Sequence, residues 1–585
     1  MRLRSLLLLL PGVLCLTTSS QAQSSRFILL VVPEADTTET SSSQYRLSAS
    51  TNRGSSVDIN DIPYRVYPSG AFAGLLELSV GDNPFTVRSV SSGGDTLTKT
   101  FLVRRIPPPR STPRDTLRID DVRLEPAGDL WLGEGDILQV QLKGTPGCVA
   151  TFLDGKPMRE LAPGEANGIE GIYRGVYKVR ADDSLDARPV TFALTDSTDS
   201  VVTSSSRATV AFMPRAFPMV GVTKGERPFL NVGLGEDRLG GAKFSFLNPA
   251  IRLAITGKAS GQYRVALTET QEAWIPEDQV DLMPRGTFLP FSLTGTITVS
   301  GDDRYDYVTI NLNDRLPYAT FQELEPTRLH IDLYGAVANT NWITQLMTAQ
   351  DIKDVYFTQV AKQVFRVTIE LNKKQCWGYG IAYQGRNLVI TLRRQPGHLR
   401  IRGLTFALDA GHGGSNRGSL GSTGALEKDV TLAIVKHLAR ALEDKGATVI
   451  LTRSDDSYSL NSERLRAVLA SPANILISVH ANSIGLTSNP ELIRGTSTYY
   501  KYICFRSLSV FILHEMLDLG LQNYGNVGNF NFTLNSPTEL PNVLVETAFM
   551  SHPEDEMKLL DDDFRKDIAA KIVDGVEEFL DSCDD

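Results

Sequence analysis

The chain has 585 residues, too many for one hydrophobic core, since a domain usually holds about 100–200 residues. Hydrophobic residues make up 42% of it and charged residues 22%, a balance that excludes a wholly disordered protein. With 59 basic and 68 acidic residues the net charge is -9, which argues against a nucleic-acid binder because phosphate binding normally needs a basic surface.

Residues 1–22 have the pattern of a secretory signal peptide. Two arginines precede an apolar run from Leu6 to Leu16, and the polar stretch that follows ends at Ala22 in a small-x-small cleavage site. The run is shorter than the roughly 20 residues that cross a bilayer, and no later segment is apolar enough to do so. We therefore expect export across the inner membrane to the periplasm or cell envelope, with no membrane span after signal removal.

The chain before residue 400 is predicted to form several strand-rich modules. Residues 26–105 and 116–214 alternate apolar and polar side chains in short runs between turns, a pattern typical of immunoglobulin-like β-sandwiches. The prolines at 107–109 favour an extended spacer between these two modules. Residues 219–284 resemble a bacterial SH3-like barrel, and residues 286–396 contain further β-strands.

From residue 403 to residue 581 strands alternate with helices, which predicts a mostly parallel sheet with helices on both faces. The first long helix has apolar residues at Val430, Ile434, Leu438 and Leu442. The predicted strands are 405–408, 448–452, 475–479, 496–500 and 542–546, and the predicted helices are 427–445, 462–469, 507–519 and 563–580.

Four side chains with metal or acid–base chemistry lie where these elements meet. His412 follows the first strand within Asp-Ala-Gly-His-Gly-Gly, His480 closes the strand 475–479, and Glu546 ends the strand that begins at 542. Glu427 opens the first helix, where the helix dipole favours a carboxylate. Because sites in open α/β sheets form at the carboxyl ends of strands, these residues are expected to converge.

Two histidines and one glutamate match the usual protein ligands of a hydrolytic zinc site, and a further carboxylate is needed to take the proton from water. His412, Glu427 and His480 are the candidate ligands, and Glu546 is the candidate base. Each also has a structural explanation, since a histidine at a strand end and a glutamate at a helix start are common. Asn482 and His552 are the candidate substrate contacts.

Segments of this region resemble the zinc-dependent N-acetylmuramoyl-L-alanine amidases. They are A-L-D-A-G-H-G-G at 407–414, E-K-D at 427–429, S-V-H-A-N at 478–482 and P-N-V-L-V-E-T-A-F-M-S at 541–551. By this resemblance His412, Glu427 and His480 match the ligands of one Zn²⁺, and Glu546 matches the catalytic glutamate. The implied substrate is peptidoglycan, cut between N-acetylmuramic acid and L-alanine during wall remodelling or daughter-cell separation. Residues 286–396 are then similar to the AMIN module that precedes many such enzymes.

The sequence also departs from the family. Asn416 stands where many relatives have Asp, and Asn474, Ala548 and Tyr524 replace other common residues, although no ligand is lost. A strand, a helix and the loop 523–535 are predicted to fill the interval between His480 and Glu546, so no zinc-blocking helix is expected there.

Two other interpretations stay open. A zinc peptidase acting within wall peptides would use the same centre, and a non-catalytic wall-binding protein would explain the long strand-rich region. The sequence also leaves open whether a protein activator in the envelope acts on the enzyme.

Overall fold

The computed structural model describes residues 26–213, 218–237 and 239–584. The predicted signal peptide, residues 1–22, lies outside these residues. Among the described helices, none is long and apolar enough to cross a membrane. The described chain is multidomain, with a strand-rich region ahead of an α/β region.

The first module consists of two sheets that enclose a common core. One sheet has the order β1-β3-β6 and the other the order β2-β8-β7-β4-β5. Leu47, Phe72 and Val103 are among the apolar side chains buried between them. The strands are β1 Ile28–Val32, β2 Thr37–Thr40, β3 Gln44–Thr51, β4 Ser56–Ile59, β5 Ile62–Tyr64, β6 Ala71–Glu77, β7 Gly81–Val90 and β8 Thr96–Arg105.

The second and third modules share one sheet that continues across the predicted boundary between them. The junction is the pairing of Trp131 in β10 with Lys258 in β20. The second module contains β9 Ile119–Glu125, β10 Leu130–Leu132, β11 Ile137–Gly144, β12 Val149–Phe152, β13 Lys156–Glu160, β14 Ile172–Lys178, β15 Leu185–Thr195 and β16 Val201–Phe212. The third contains β17 Met219–Thr223, β18 Phe229–Asp237, β19 Gly240–Phe246, β20 Arg252–Ala259, β21 Gln262–Ala266, β22 Glu272–Pro276 and β23 Val280–Leu282.

The fourth module has two main antiparallel sheets, ordered β30-β25-β26-β34-β33 and β27-β28-β32-β31. β25 and β30 form a parallel pair at one edge. Its strands are β24 Ser292–Leu293, β25 Ile297–Gly301, β26 Tyr305–Ile310, β27 Tyr318–Leu324, β28 Thr327–Tyr334, β29 Ala336–Val337, β30 Ile343–Gln345, β31 Ile352–Ala361, β32 Val364–Leu371, β33 Tyr379–Gln384 and β34 Asn387–Arg393.

The C-terminal region is built on a sheet of order β36-β35-β37-β40-β38-β39. All neighbouring strands are parallel except β38 and β40. The strands are β35 Thr405–Ala410, β36 Thr448–Leu451, β37 Ile475–Asn482, β38 Thr496–Tyr499, β39 Asn523–Val527 and β40 Asn542–Phe549. The helices are α1 Glu427–Asp444, α2 Asn461–Leu469, α3 Arg506–Leu517, α4 Pro553–Leu559 and α5 Asp562–Ser582.

Alternate residues of the central strands pack into two different apolar clusters. Phe406 and Ile477 face the cluster that contains residues of α1, α3 and α5, whereas Ala407 and Leu476 face a smaller cluster with Leu465 of α2. Both faces of these strands are therefore buried, which explains their nearly continuous apolar sequences. His480 and Glu546 lie an even number of residues from Leu476 and Leu544, on the α2 face of their strands.

The strands that carry the candidate site are longer than predicted. His480 does not close β37 and Glu546 does not end β40, because the two strands continue to pair as far as Asn482 and Phe549. Two elements were missed: the predicted loop 523–535 contains β39, and α4 follows β40. These elements are short and lack an amphipathic stripe, so tertiary pairing and packing decide them.

The first and third modules contact the α/β region beside its candidate site. Arg46 of β3 donates hydrogen bonds to the carbonyl oxygen of Ile484 at 2.6 Å and to Oγ of Ser483 at 3.2 Å. Leu420 packs against the core of the first module. From the other side, the β18–β19 hairpin brings Leu239 to the pocket that holds the candidate ligands.

Candidate metal centre

Three donor side chains converge at the carboxyl end of the central strands. Glu427 Oε1 lies 3.0 Å from Nε2 of His412 and 3.1 Å from Nδ1 of His480. One ligand atom from each of the three residues lies within 4.8 Å of the others. The three metal ligands predicted from the sequence are therefore brought together by the fold.

Further hydrogen bonds fix the side chains of His412 and Glu427 in the orientation that directs their donor atoms towards one another. His412 Nδ1 lies 3.0 Å from Oδ1 of Asn416, which also accepts a bond from the backbone N–H of Gly418. An amide oxygen can only accept, so Nδ1 of His412 carries a proton, and Nε2 is the ring nitrogen that faces Glu427 and would face a metal. Glu427 accepts bonds from the backbone N–H groups of Ser419 at 2.7 Å and Ala481 at 3.1 Å.

Opposite charges on Glu427 and His480 stabilise each other in the centre. Burial favours the neutral form of Glu427, but the hydrogen bonds from His412 and His480 outweigh burial and lower the pKa of this carboxyl. Burial also opposes a charge on His480, yet Glu427, Glu546 and Asp409 together raise its pKa to about 9. The centre thus holds positive charge against a buried carboxylate, which is the role that a metal cation would fill.

Two glycines allow the ligands to approach so closely. A Cβ at Gly411 would lie 2.4 Å from the His480 ring, and one at Gly418 would lie 2.6 Å from Oε2 of Glu427. His412 itself adopts a φ of 64°, a left-handed conformation that is uncommon for residues other than glycine. Backbone strain of this kind persists only where surrounding contacts hold it.

Two buried arginines supply those contacts. Arg464 of α2 donates to Oδ1 of Asp409 at 3.0 Å, to the carbonyl of Ala410 at 2.7 Å and to the carbonyl of His412. Arg453 donates to the carbonyls of Ala410 and Gly411, each within 2.9 Å. Sequence analysis missed both arginines, because neither has metal or acid–base chemistry and both act through the backbone.

Asp409 completes this buried network. Burial disfavours its charge, but Arg464 and His480 outweigh burial and lower the pKa of Asp409. Its carboxylate also accepts hydrogen bonds from Thr452 at 2.6 Å and Ser478 at 2.7 Å. The network ties three strands together directly beneath the loop that carries His412.

Glu546 lies beside the ligands on the neighbouring strand. It is in register with His480 across the parallel β37–β40 pair, so the two side chains point to the same face. It is 7% exposed and lines the same pocket, of about 580 Å³, as His412, Glu427 and His480. All four predicted catalytic and ligand residues thus line one pocket.

The two predicted substrate contacts differ in position. Asn482 lines the pocket, and its Oδ1 accepts the backbone N–H of Ser483. His552 is not among the described residues that line it. It is 3% exposed, caps α4 by accepting the N–H of Glu554, and packs edge-on against Tyr67 of the first module. The structure thus places His552 in a helix cap and in a contact between modules, and its predicted contact with the substrate stays a prediction.

An aromatic wall closes one side of the pocket. Phe532 lies parallel to the His480 ring, with ring centroids 6.5 Å apart, and packs on Tyr499 and Phe530. The histidine side chains stay 23% and 21% exposed, so the pocket is open to water and to a substrate. The segment around Phe532 was predicted only as a loop. Its alternating Phe and Asn residues were the signal that could have identified it as part of the pocket wall.

The donor set fits zinc. In a tetrahedral site with metal–ligand bonds of about 2.0–2.2 Å, neighbouring ligand atoms lie about 3.3–3.6 Å apart. Glu427 Oε1 lies 3.0 and 3.1 Å from the two ring nitrogens, so a small outward movement of the side chains would accommodate the ion. Two imidazoles and one carboxylate also leave a fourth position for water or substrate.

Comparison with known proteins identifies the family. The N-acetylmuramoyl-L-alanine amidase family model matches residues 407–578, and the AMIN domain model matches residues 296–392. The uncharacterized protein YqiI of Bacillus subtilis is 31% identical over 185 residues, which are 31% of this chain and 87% of that protein.

Two further relatives are similar over the same region. The probable cell wall amidase LytH of Staphylococcus aureus is 34% identical over 185 residues, covering 30% of this chain and 58% of LytH. The solved catalytic domain of CwlV, an N-acetylmuramoyl-L-alanine amidase from Bacillus (Paenibacillus) polymyxa var. colistinus, is 32% identical, with a TM-score of 0.29. That match covers 30% of this chain and 98% of the CwlV domain. The chain belongs to the N-acetylmuramoyl-L-alanine amidase family, with an AMIN domain ahead of the amidase region.

Proposed function

We propose that this protein is a zinc-dependent hydrolase that cleaves the amide between N-acetylmuramic acid and L-alanine in peptidoglycan. The observation that carries the proposal is the convergence of His412, Glu427 and His480 beside Glu546, in the region that matches the amidase family. Such an activity serves cell-wall remodelling or daughter-cell separation.

Each residue has a distinct role. His412 and His480 would hold the metal through ring nitrogens, and Glu427 would contribute the negative charge. A zinc ion held there would polarise the scissile carbonyl and lower the pKa of water to about 7. Glu546 accepts the proton of the attacking water and returns it to the nitrogen of L-alanine as the amide breaks. Asn482 lies on the pocket wall and contacts the substrate.

The strand-rich modules direct this activity to the wall. The first two modules are proposed to be immunoglobulin-like, and the third, residues 219–284, to be an SH3-like wall-binding barrel. Together with the AMIN domain and the signal-like sequence at 1–22, they support a location in the periplasm or cell envelope.

The test is mass analysis of products released from purified peptidoglycan by the full-length protein. Free stem peptides that begin with L-alanine, together with intact glycan strands, are the expected products. Fragments cut within the peptides would instead identify a zinc peptidase, and a protein without bound zinc would point to a wall-binding protein.

Glu546→Gln tests the proposed base. The variant should bind zinc as the wild type does and lose about 10²–10⁴-fold in turnover, the usual contribution of general acid–base catalysis. Glu443→Gln, an exposed change on α1, is the matched control and should keep full activity. Wild-type turnover by Glu546→Gln would contradict the role assigned to this residue.

A further inference from the structure

A second cavity, of about 570 Å³, lies between the third module and the amidase region. Phe229 and Lys243 of the β18–β19 hairpin form one wall, and Lys501, Asn531 and Thr533 belong to the other. Thr533 also lines the metal-centre pocket, so the two cavities adjoin at this residue.

Lys501 is a buried cation on the amidase side of this cavity. It is 8% exposed, and its Nζ donates a hydrogen bond to Oδ1 of Asn531 at 2.9 Å. Burial, and then the positive charge of Lys243, lower the pKa of Lys501 to about 8. Its ammonium group is therefore still mostly charged at pH 7.

Two further cations face the cavity from the third module. Lys243 is half-buried, with Nζ 4.7 Å from the centre of the Phe229 ring, and the guanidinium of Arg227 lies 4.6 Å from the centre of the Phe246 ring. Burial lowers the pKa of Lys243, although the charge of Asp237 opposes that shift. Aromatic faces stabilise cations but leave their charge unneutralised.

Carboxylates supply little compensation here. Of the described residues that line the cavity, Glu226 is the one acidic residue, and both its oxygens are bound by Arg466 at 2.8 and 2.7 Å. Glu539 lines the neighbouring cavity that shares the two lysines, but among the described residues it forms no hydrogen bond or ion pair with either of them, and it is not among the causes of the Lys501 pKa shift. A buried ammonium without a carboxylate costs folding free energy, so its presence indicates a ligand that supplies the negative charge.

We propose that Lys243 and Lys501 bind a free carboxylate of the peptidoglycan stem peptide while the muramyl amide occupies the metal centre. This inference rests on the proposed function, because the stem peptide continues from the L-alanine whose amide is cut and carries further carboxylates. Thr533 lines both cavities, so the proposed carboxylate site is adjacent to the metal-centre pocket. The third module contributes Lys243 to the substrate site and thereby favours stem peptides that carry free carboxylates.

The experiment compares two soluble substrates with the full-length zinc enzyme. One is N-acetylmuramoyl pentapeptide with free carboxylates, and the other is the same molecule with those carboxylates converted to carboxamides. Lys243→Met and Lys501→Met should each raise KM for the free-carboxylate substrate about tenfold or more, as expected for loss of a hydrogen bond to a charged group. Cleavage of the carboxamide substrate should stay unchanged, which also shows that the variants are folded.

Lys224→Met is the matched control. Lys224 belongs to the same module but is exposed and paired with Asp281 at 2.6 Å, so its loss should change neither substrate's KM. If Lys243→Met and Lys501→Met leave KM for the free-carboxylate substrate at the wild-type value, the proposal is overturned.

Calorimetric titration with the free stem peptide separates this inference from the proposed function. The wild type should bind the peptide with free carboxylates, and both lysine variants should bind it about tenfold more weakly. Equal binding by wild type and variants overturns the carboxylate site even if the enzyme is an amidase. Weakened binding by the variants supports the site even if the amide is not cut.

Discussion

Replacing Asn416 by alanine removes the oxygen that holds Nδ1 of His412 at 3.0 Å. The His412 ring would then be held only at Nε2, by Glu427, and by its edge-on contact with His480, so Nδ1 would no longer fix its tautomer and orientation. Loss of such a hydrogen bond to a ligand histidine typically costs about 10–100-fold in metal affinity. That range corresponds to about 1.4–2.7 kcal/mol of zinc-binding free energy.

Zinc affinity is measured by competition with a chromophoric chelator at fixed pH and ionic strength, alongside kcat/KM. Asn416→Asp provides the opposite change, since a carboxylate makes a charge-assisted bond that is about twice as strong as the amide's. This variant should bind zinc more tightly than the wild type. Asn461→Ala, at a position that lines the same pocket, is the control and should leave zinc affinity unchanged.

The result that would refute this reasoning is a wild-type zinc affinity in Asn416→Ala. A lower zinc affinity in Asn416→Asp than in the wild type would also contradict the reasoning. A stronger hydrogen-bond acceptor at Nδ1 of His412 would then fail to increase the affinity of His412 for zinc. Either result would mean that the left-handed backbone at His412 is enough to position the ring.

Three further predictions follow from the buried contacts of the centre. Arg464→Met should lower the free energy of unfolding of the amidase region by about 3–5 kcal/mol, because it leaves Asp409 buried without its cation. Adding Asp409→Asn to the same chain should recover part of that loss. Calorimetry measures the unfolding transition of this region, which is identified as the one that zinc shifts. Gly411→Ala should abolish tight zinc binding because its methyl group would meet the ring of His480, whereas Gly485→Ala, where a Cβ would meet nothing within 4 Å, should bind zinc normally. A strong chelator should remove activity, and added Zn²⁺ should restore it; full activity in a verified metal-free protein would exclude the proposed centre.

The sequence predicted four residues that the fold brings to one pocket, because the signals for those residues are local. The His412, His480 and Glu546 motifs each accompany a buried strand, and Glu427 opens a helix whose apolar stripe is unambiguous. The ends of the strands were predicted less well. Polar ligand residues resemble strand ends in sequence, but pairing between β37 and β40 continues beyond them.

Tertiary structure decided the surroundings of that centre. Arg464 and Arg453 have no motif, yet they hold the backbone of the His412 loop. His552 was predicted from the sequence as a substrate contact, and only the folded chain shows that its side chain caps a helix.

The amino-acid sequence by itself determined the family and the strand-rich character of the chain's first 400 residues, and it predicted the four residues that line the metal-centre pocket. Only the tertiary structure placed Lys243 of the β18–β19 hairpin in the second cavity beside the amidase region, and Arg46 against a loop 437 residues away. Periodicity and motifs report on neighbours within a few residues, whereas contacts between modules depend on surfaces that exist only after each module has folded.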